Sequence, residues 1–397
     1  MKPRASYRGP DLFSYGFRPF FLSATLFALV VVPLWWLVWR GRVALESPFV
    51  PTDWHVHEMI FGYGAAVVAG FLFTAVPNWT GRLPTRGWPL AALLAVWVAG
   101  RLVVAGLAGL PPLAVLAIDQ AFLLAVATMI TREIVAGKNW RNLKVLVPVS
   151  LLWLSNILFH LESMSQGYAA HGQRLGISLL IFLVLMIGGR IIPSFTRNWL
   201  AKQTAAKLPV PFGRFDGLAV GFAAAALLVW VLAPTSWTTI ALAAGAGLLH
   251  AVRLSRWCGL SCRRSPLLLM LHAAYAFVPL GFACVAADGL GWLAPAVGVH
   301  VLGIGAIGGM TVAVMMRATM GHTGRDLIAG RGLTVAFALL VGAVGLRVAG
   351  ASLTLAGQNG IDLAAVLWTL GFAIIALRIG PWLLRPRVAA KMPSQAV

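Results

Sequence analysis

Charge is what this sequence has least of. Only 11% of its 397 residues are Asp, Glu, Lys or Arg, against about a quarter in soluble domains. Hydrophobic residues make up 60%, and mean hydropathy is +0.86. That balance excludes an ordinary water-soluble globule. Cysteine is nearly absent too: Cys258, Cys262 and Cys284 are too few for a disulfide framework. The C-x3-C of WCGLSCRR also lacks the spacing and the second pair of a zinc knuckle. No A-x-A-like site follows the basic, aromatic lead MKPRASYRGPDLFSYGFRPFF, so the first apolar helix is expected to stay in the mature chain. No convincing internal repeat, such as matching broken helices in two halves, is found, and no soluble cofactor domain is expected.

What is present is a series of uncharged stretches near the roughly 20 residues that cross a bilayer. The expected fold is all-α: a polytopic integral membrane protein of about 12 transmembrane helices forming one helical unit over 1–397. The spans are read near 20–40, 56–77, 88–107, 112–131, 145–161, 175–194, 216–233, 236–253, 267–287, 292–316, 332–350 and 362–383. LAGLPP, APTSW and ADGLGW read as tight turns that force antiparallel hairpins.

The formal charge of +20 comes from 31 basic and 11 acidic residues. Its distribution argues for topology, with no nucleic acid as partner. With both termini cytoplasmic, most basic residues fall on that side, from Lys2, Arg4 and Arg8 through Arg132, Lys144, Lys202 and Arg264 to Arg385, Arg387 and Lys391. The opposite loops hold little beyond Arg40, Arg42 and Arg174. This is the positive-inside pattern.

That orientation assigns depths to the eight histidines. His55 and His57 fall at the outer end of the second span, His160 at the outer end of the fifth, and His171 in the loop that follows. His300 lies roughly 12 Å into the tenth span at 1.5 Å per residue. His250, His272 and His322 lie toward the cytoplasm. In DWHVHEMIFGYG, residues 53–64, Asp53 and His57 share a helical face, so Asp53 is positioned to orient His57 toward a metal. His55 points about 200° away and cannot serve the same metal from that face. It either caps the helix or serves a second metal.

Asn156, His160 and Ser163 follow the i, i+4, i+7 pattern and form a polar stripe that cannot face lipid. His300 is followed by Gly303, Gly305, Gly308 and Gly309, which admit either a close helix or a flat cofactor. Each histidine can be an interhelical hydrogen-bonding group or a metal or haem ligand. At least one ligand is expected among His55, His57, His160 and His300, because polar groups in a bilayer are costly to keep. Met310, Met315, Met316 and Met320 are expected to fill the core.

Arg101 and Asp119 stand nine residues on either side of Leu110 and should meet as a pair inside the membrane, as a structural staple or a proton path. Arg18 and Arg190, near cytoplasmic span ends, either snorkel or clamp a carboxylate or propionate. Arg347 could do the same on the outer side.

FSYGFRPFFL at 13–22, WHVHEMIFGYG at 54–64, FTAVPNWTGR at 73–82, GGRIIPSFTRNW at 188–199 and GAIGGMTVAVMMRATMGHTGR at 305–325 resemble the NnrS family of bacterial membrane proteins, over nearly the whole chain. The resemblance implies a protein of the bacterial inner membrane that carries haem b and copper, is linked to denitrification, and responds to nitric oxide and nitrosative stress. It extends a ligand role to His55, His57, His322 and the adjacent His300; with His160 from the polar stripe and Arg18 and Arg190 from the span ends, these are the expected cofactor-binding residues, and His55, His57 and His300 the expected metal ligands. Binding nitric oxide, or reducing it as an oxidoreductase, is the leading expectation. Reduction would need Glu58 and Asp119 as proton-relay groups and a quinol or donor protein for electrons. A multi-span transporter and a haem- or copper-handling protein are the alternatives.

Overall fold

A computed structural model describes residues 7–203, 207–355 and 357–388. Lys2, Arg4 and Lys391, counted in the charge pattern, lie outside the described residues. Eleven helices among the described residues are long and apolar enough to cross a membrane. In chain order, with the shorter Trp88–Val104 included as α3, they are α1 Phe17–Trp39, α2 Pro51–Thr80, α4 Pro112–Ala136, α5 Trp140–Gln166 and α6 His171–Ala201. Then come α7 Arg214–Leu232, α8 Trp237–Ser255, α9 Pro266–Gly289, α10 Pro295–His322, α11 Gly330–Ala349 and α12 Gly360–Leu384. The chain is thus an all-α, multi-pass membrane protein.

Helix boundaries follow local chemistry. Proline stands in the first turn of α2, α3, α4, α9 and α10, where its missing N–H costs no helical bond. Gly81 and Gly167 end α2 and α5 in the left-handed conformation, at φ 69° and 80°, that a side chain would resist. Glu162 begins the next element from outside it: its carboxylate accepts the N–H groups of His171 (3.2 Å) and Gly172 (2.8 Å) at the start of α6. Glu162→Ala should therefore cost about 1 kcal/mol. A lower thermal midpoint of the purified protein in detergent checks this, and an unchanged midpoint would assign the cap no role.

Consecutive helices pack on one another, and α12 returns against α1. The three most buried are α2, α6 and α10. At 28 to 31 residues they run about 42 to 46 Å, well beyond the roughly 30 Å hydrocarbon core.

Each of these central helices contains a π-wound stretch: Glu58–Gly64, Val184–Gly188 and Val301–Gly308. Such widened turns shift the backbone ladder and are common at functional sites. Side chains take up carbonyls in all three. Trp97 Nε1 of α3 donates to the Gly62 carbonyl (3.0 Å), and Arg253 Nη1 of α8 to that of Leu185 (3.0 Å). Thr311 Oγ1 donates to the carbonyls of Ile307 and Gly308 (2.8 and 2.9 Å). Gly189 has no Cβ to collide with the Arg253 guanidinium as it reaches the α6 backbone. Arg253 is itself buried and paired with Asp216 at 2.9 Å.

Candidate cofactor site

The two histidines of DWHVHEMIFGYG leave α2 in different directions and enter different environments. Helical phase separates them, and the helices packed on either side of α2 decide what each one meets.

His57, fully buried, enters an ion network. Its Nδ1 donates to Glu58 Oε1 at 3.0 Å, and its Nε2 lies 2.9 Å from Asn156 Oδ1 and 3.1 Å from Asp119 Oδ2. Arg101 of α3 pairs with both Glu58 and Asp119. Asn156 Nδ2 donates to Asp119 Oδ2 (2.8 Å), and His160 Nε2 lies 3.2 Å from the same oxygen. The expected Arg101–Asp119 pair is present, with Glu58 as a second carboxylate that the spacing argument did not anticipate. The polar stripe of α5 is buried, as expected from its phase.

Asp53 does not orient His57. Its carboxylate accepts the Ala169 N–H at 2.7 Å, so it ties the loop before α6 to the start of α2. The neighbouring Glu58 takes over the role assigned to Asp53.

The network has two carboxylates and one guanidinium, so it reaches neutrality with one more positive charge. His57 faces acceptors on both ring nitrogens, and a second ring proton would supply that charge. A metal ion could replace the proton. His57, Asp119 and His160 each offer a donor atom, all within 4.8 Å of one another. Glu58 on the far nitrogen of His57 is the kind of outer carboxylate that metal-bound imidazoles commonly carry.

His55 turns the other way. Its ring stacks on Trp35 with centroids 4.3 Å apart, and its buried Nδ1 has no hydrogen-bond partner. It lines an apolar cavity of about 130 Å³ between α1, α2, α6, α10, α11 and α12, which His300 and Arg347 also line. His300 Nδ1 donates to the Ala296 carbonyl at 2.7 Å, leaving Nε2 as its free nitrogen. Trp35, Tyr63 and Trp368 form aromatic walls. Gly303 is the one glycine of its run that faces open space: a Cβ there would meet nothing within 4 Å, whereas Gly305, Gly308 and Gly309 pack on Phe277, Trp368 and Ala274. His55, His57 and His300, each expected as a metal ligand with His55 and His57 unable to share one metal, thus lie at two separate places. His55 and His300 share the chamber, and His57 belongs to the ion network across α2.

Two imidazoles with free nitrogens and an arginine in an otherwise apolar lining are a donor set for an iron-bearing, carboxylate-edged cofactor, and at about 130 Å³ the chamber's walls would have to part to admit one the size of haem. The chamber shares Leu180 and Ile307 with a smaller apolar cavity of about 70 Å³. That cavity in turn shares Phe71, Ile187, Ile191 and Val314 with a third, of about 530 Å³, at the opposite end of the bundle. Tyr63 and Thr311, hydrogen bonded at 2.7 Å, join α2 to α10 between the first two.

His322 and Arg190 line the third cavity, far from the chamber along α10 and α6. His322 packs its ring against Tyr15 and Phe17. Arg18 is at neither site: its Nη1 donates to the carbonyls of Leu383 (2.9 Å) and Arg385 (2.7 Å), closing the end of α12. His250 and His272 are held by Tyr275 (2.8 Å) and Thr196 (3.0 Å). The four methionines of α10 are buried in the core. Arg317, which also lines the third cavity, carried no periodicity signal that set it apart from the basic residues of a span end.

Comparison with curated proteins finds no match. The family model described as NnrS protein matches residues 11–387, nearly the whole chain, so this protein belongs to the NnrS family.

Proposed function

We propose that this protein serves the bacterial response to nitric oxide by holding haem b in the His55/His300 chamber and a copper ion at His57, His160 and Asp119. The observation that supports it best is the chamber itself. His300 has one nitrogen anchored to a backbone carbonyl and the other free, which is how ligating imidazoles are usually prepared. His55 brings a buried, unpartnered nitrogen into the same wall. Bound haem would supply a redox-active iron for a diatomic gas, and nitric oxide reaches such a depth by partitioning into lipid. The chain's own part is to bind through the two imidazoles, pair Arg347 with a propionate, and exclude water with Trp35, Tyr63 and Trp368. With a metal ion in place of the second ring proton, His57 keeps its Nδ1 proton directed at Glu58.

The proposal places the protein in the inner membrane with α3 as a twelfth crossing, both termini cytoplasmic and the chamber toward the outer face, following the positive-inside pattern. A quinol or a donor protein would supply electrons if nitric oxide is reduced.

Optical and metal analysis of the purified protein tests the reading. A haem band that shifts with nitric oxide is expected, lost in His55→Ala and His300→Ala and kept in His160→Ala, whose copper content falls instead. Full haem occupancy in both chamber variants would overturn the assignment. The transporter reading draws on the run of three cavities and predicts substrate uptake by vesicles whose protein carries no metal.

A further inference from the structure

The third cavity is built differently from the first. Arg190, Arg317, His322, Asn78, Asn142 and Thr74 contribute its polar wall, and among the described residues no carboxylate lines it. Among the described residues no hydrogen bond or ion pair joins the side chain of the exposed Arg190 or of the half-buried Arg317 to another group. The half-buried Arg317 lies 4.1 Å over the Phe195 ring, a contact that orients the guanidinium and leaves its donors open. Five donors in a planar fork, with no acceptor supplied by the protein, match a carboxylate or phosphate.

Behind these cations the wall becomes apolar. Phe71, Ile187, Ile191 and Val314 form the shared boundary with the middle cavity, whose lining is hydrocarbon apart from the Met310 thioether, Thr311 and backbone. A free inorganic anion would use the arginines and leave that space unfilled. A ligand with an anionic head and one flexible apolar chain would use both. The middle cavity is narrow, which suits a single chain.

We propose that the Arg190/Arg317 cavity binds the anionic head of an acyl-chain amphiphile whose chain runs past Val314 into the middle cavity, toward the chamber. A bilayer phospholipid with an anionic headgroup and a free fatty acid share this chemistry. The proposal does not rest on the haem reading, because none of its ligand contacts involves His55 or His300.

Native mass spectrometry of the delipidated protein with added phosphatidylglycerol, phosphatidylcholine or oleate is the test, with thermal midpoint measured with and without each. One tightly bound phosphatidylglycerol or one oleate is expected, whichever is the source, bound at least about tenfold more tightly than phosphatidylcholine. The double change Arg190→Gln/Arg317→Gln should remove that preference. Val314→Phe should weaken a long-chain ligand by about tenfold while sparing its six-carbon analogue. The ligand-dependent rise in midpoint is read within each variant, so a general loss of stability does not mimic the result. Equal binding of phosphatidylcholine, or an anion preference that survives loss of both arginines, would overturn the proposal. Both readouts are independent of haem content, so they separate this inference from the proposed function.

Discussion

Replacing Arg101 with methionine is expected to destabilise the protein by roughly 3–5 kcal/mol, the penalty for removing one member of a buried ion pair. Glu58 and Asp119 would keep their burial and lose the guanidinium that pairs with both. His57 can carry only one compensating charge between them. Adding Asp119→Asn removes one orphaned carboxylate and leaves Glu58 facing His57 at 3.0 Å. The double variant should therefore be more stable than Arg101→Met alone. Unfolding of the purified proteins in mixed micelles of rising SDS content would measure both. A single variant as stable as the parent, or a double variant whose losses simply add, would show that the three side chains do not act as one electrostatic unit.

The second large effect is expected from a substitution that removes no polar group. Gly303→Phe places a ring at the chamber that His55 and His300 also line, where a Cβ meets nothing within 4 Å. The fold should accept it, because the ring fills a void in place of colliding with packed atoms. Any ligand of the chamber should then lose at least about tenfold in occupancy, since its volume would be taken. Haem content per protein, compared with the thermal midpoint, reads both outcomes. Normal haem content at unchanged stability would place the cofactor outside this cavity, with both imidazoles intact.

The structure also shows why a reading from helical phase reached some of these groups and missed others. Asp119 and Arg101 were legible because a tight turn between two straight helices puts residues at equal distance from it at equal depth. Glu58 was legible as a titratable group in the right dodecapeptide, but its pairing with Arg101 was not. Its position depends on the π-wound stretch it begins, which alters the 100° step assumed for an ideal helix. Asp53 was assigned to His57 from i, i+4 spacing, and the Ala169 N–H of a loop distant in sequence claimed it first. Arg18 looked like a clamp for a ligand, but the end of α12, more than 360 residues away, supplied the acceptors.

What the sequence determined alone is the solvent and the element type. Low charge and repeated apolar runs leave the bilayer as the only medium for this chain, and there each segment must satisfy its backbone internally, which makes it helical. Phase then separates His55 from His57, because neighbours on one helix are related by a fixed rotation. Which side of α2 would be the apolar chamber and which the ion network was decided only by tertiary structure. That choice depends on α1, α6 and α10–α12 packing against one face of α2, and α3, α4 and α5 bringing Arg101, Asp119 and His160 to the other. Such pairings join residues from 20 positions apart, as for Trp35 and His55, to more than 300, as for His55 and Trp368, and local periodicity carries no information about which helix will be the neighbour.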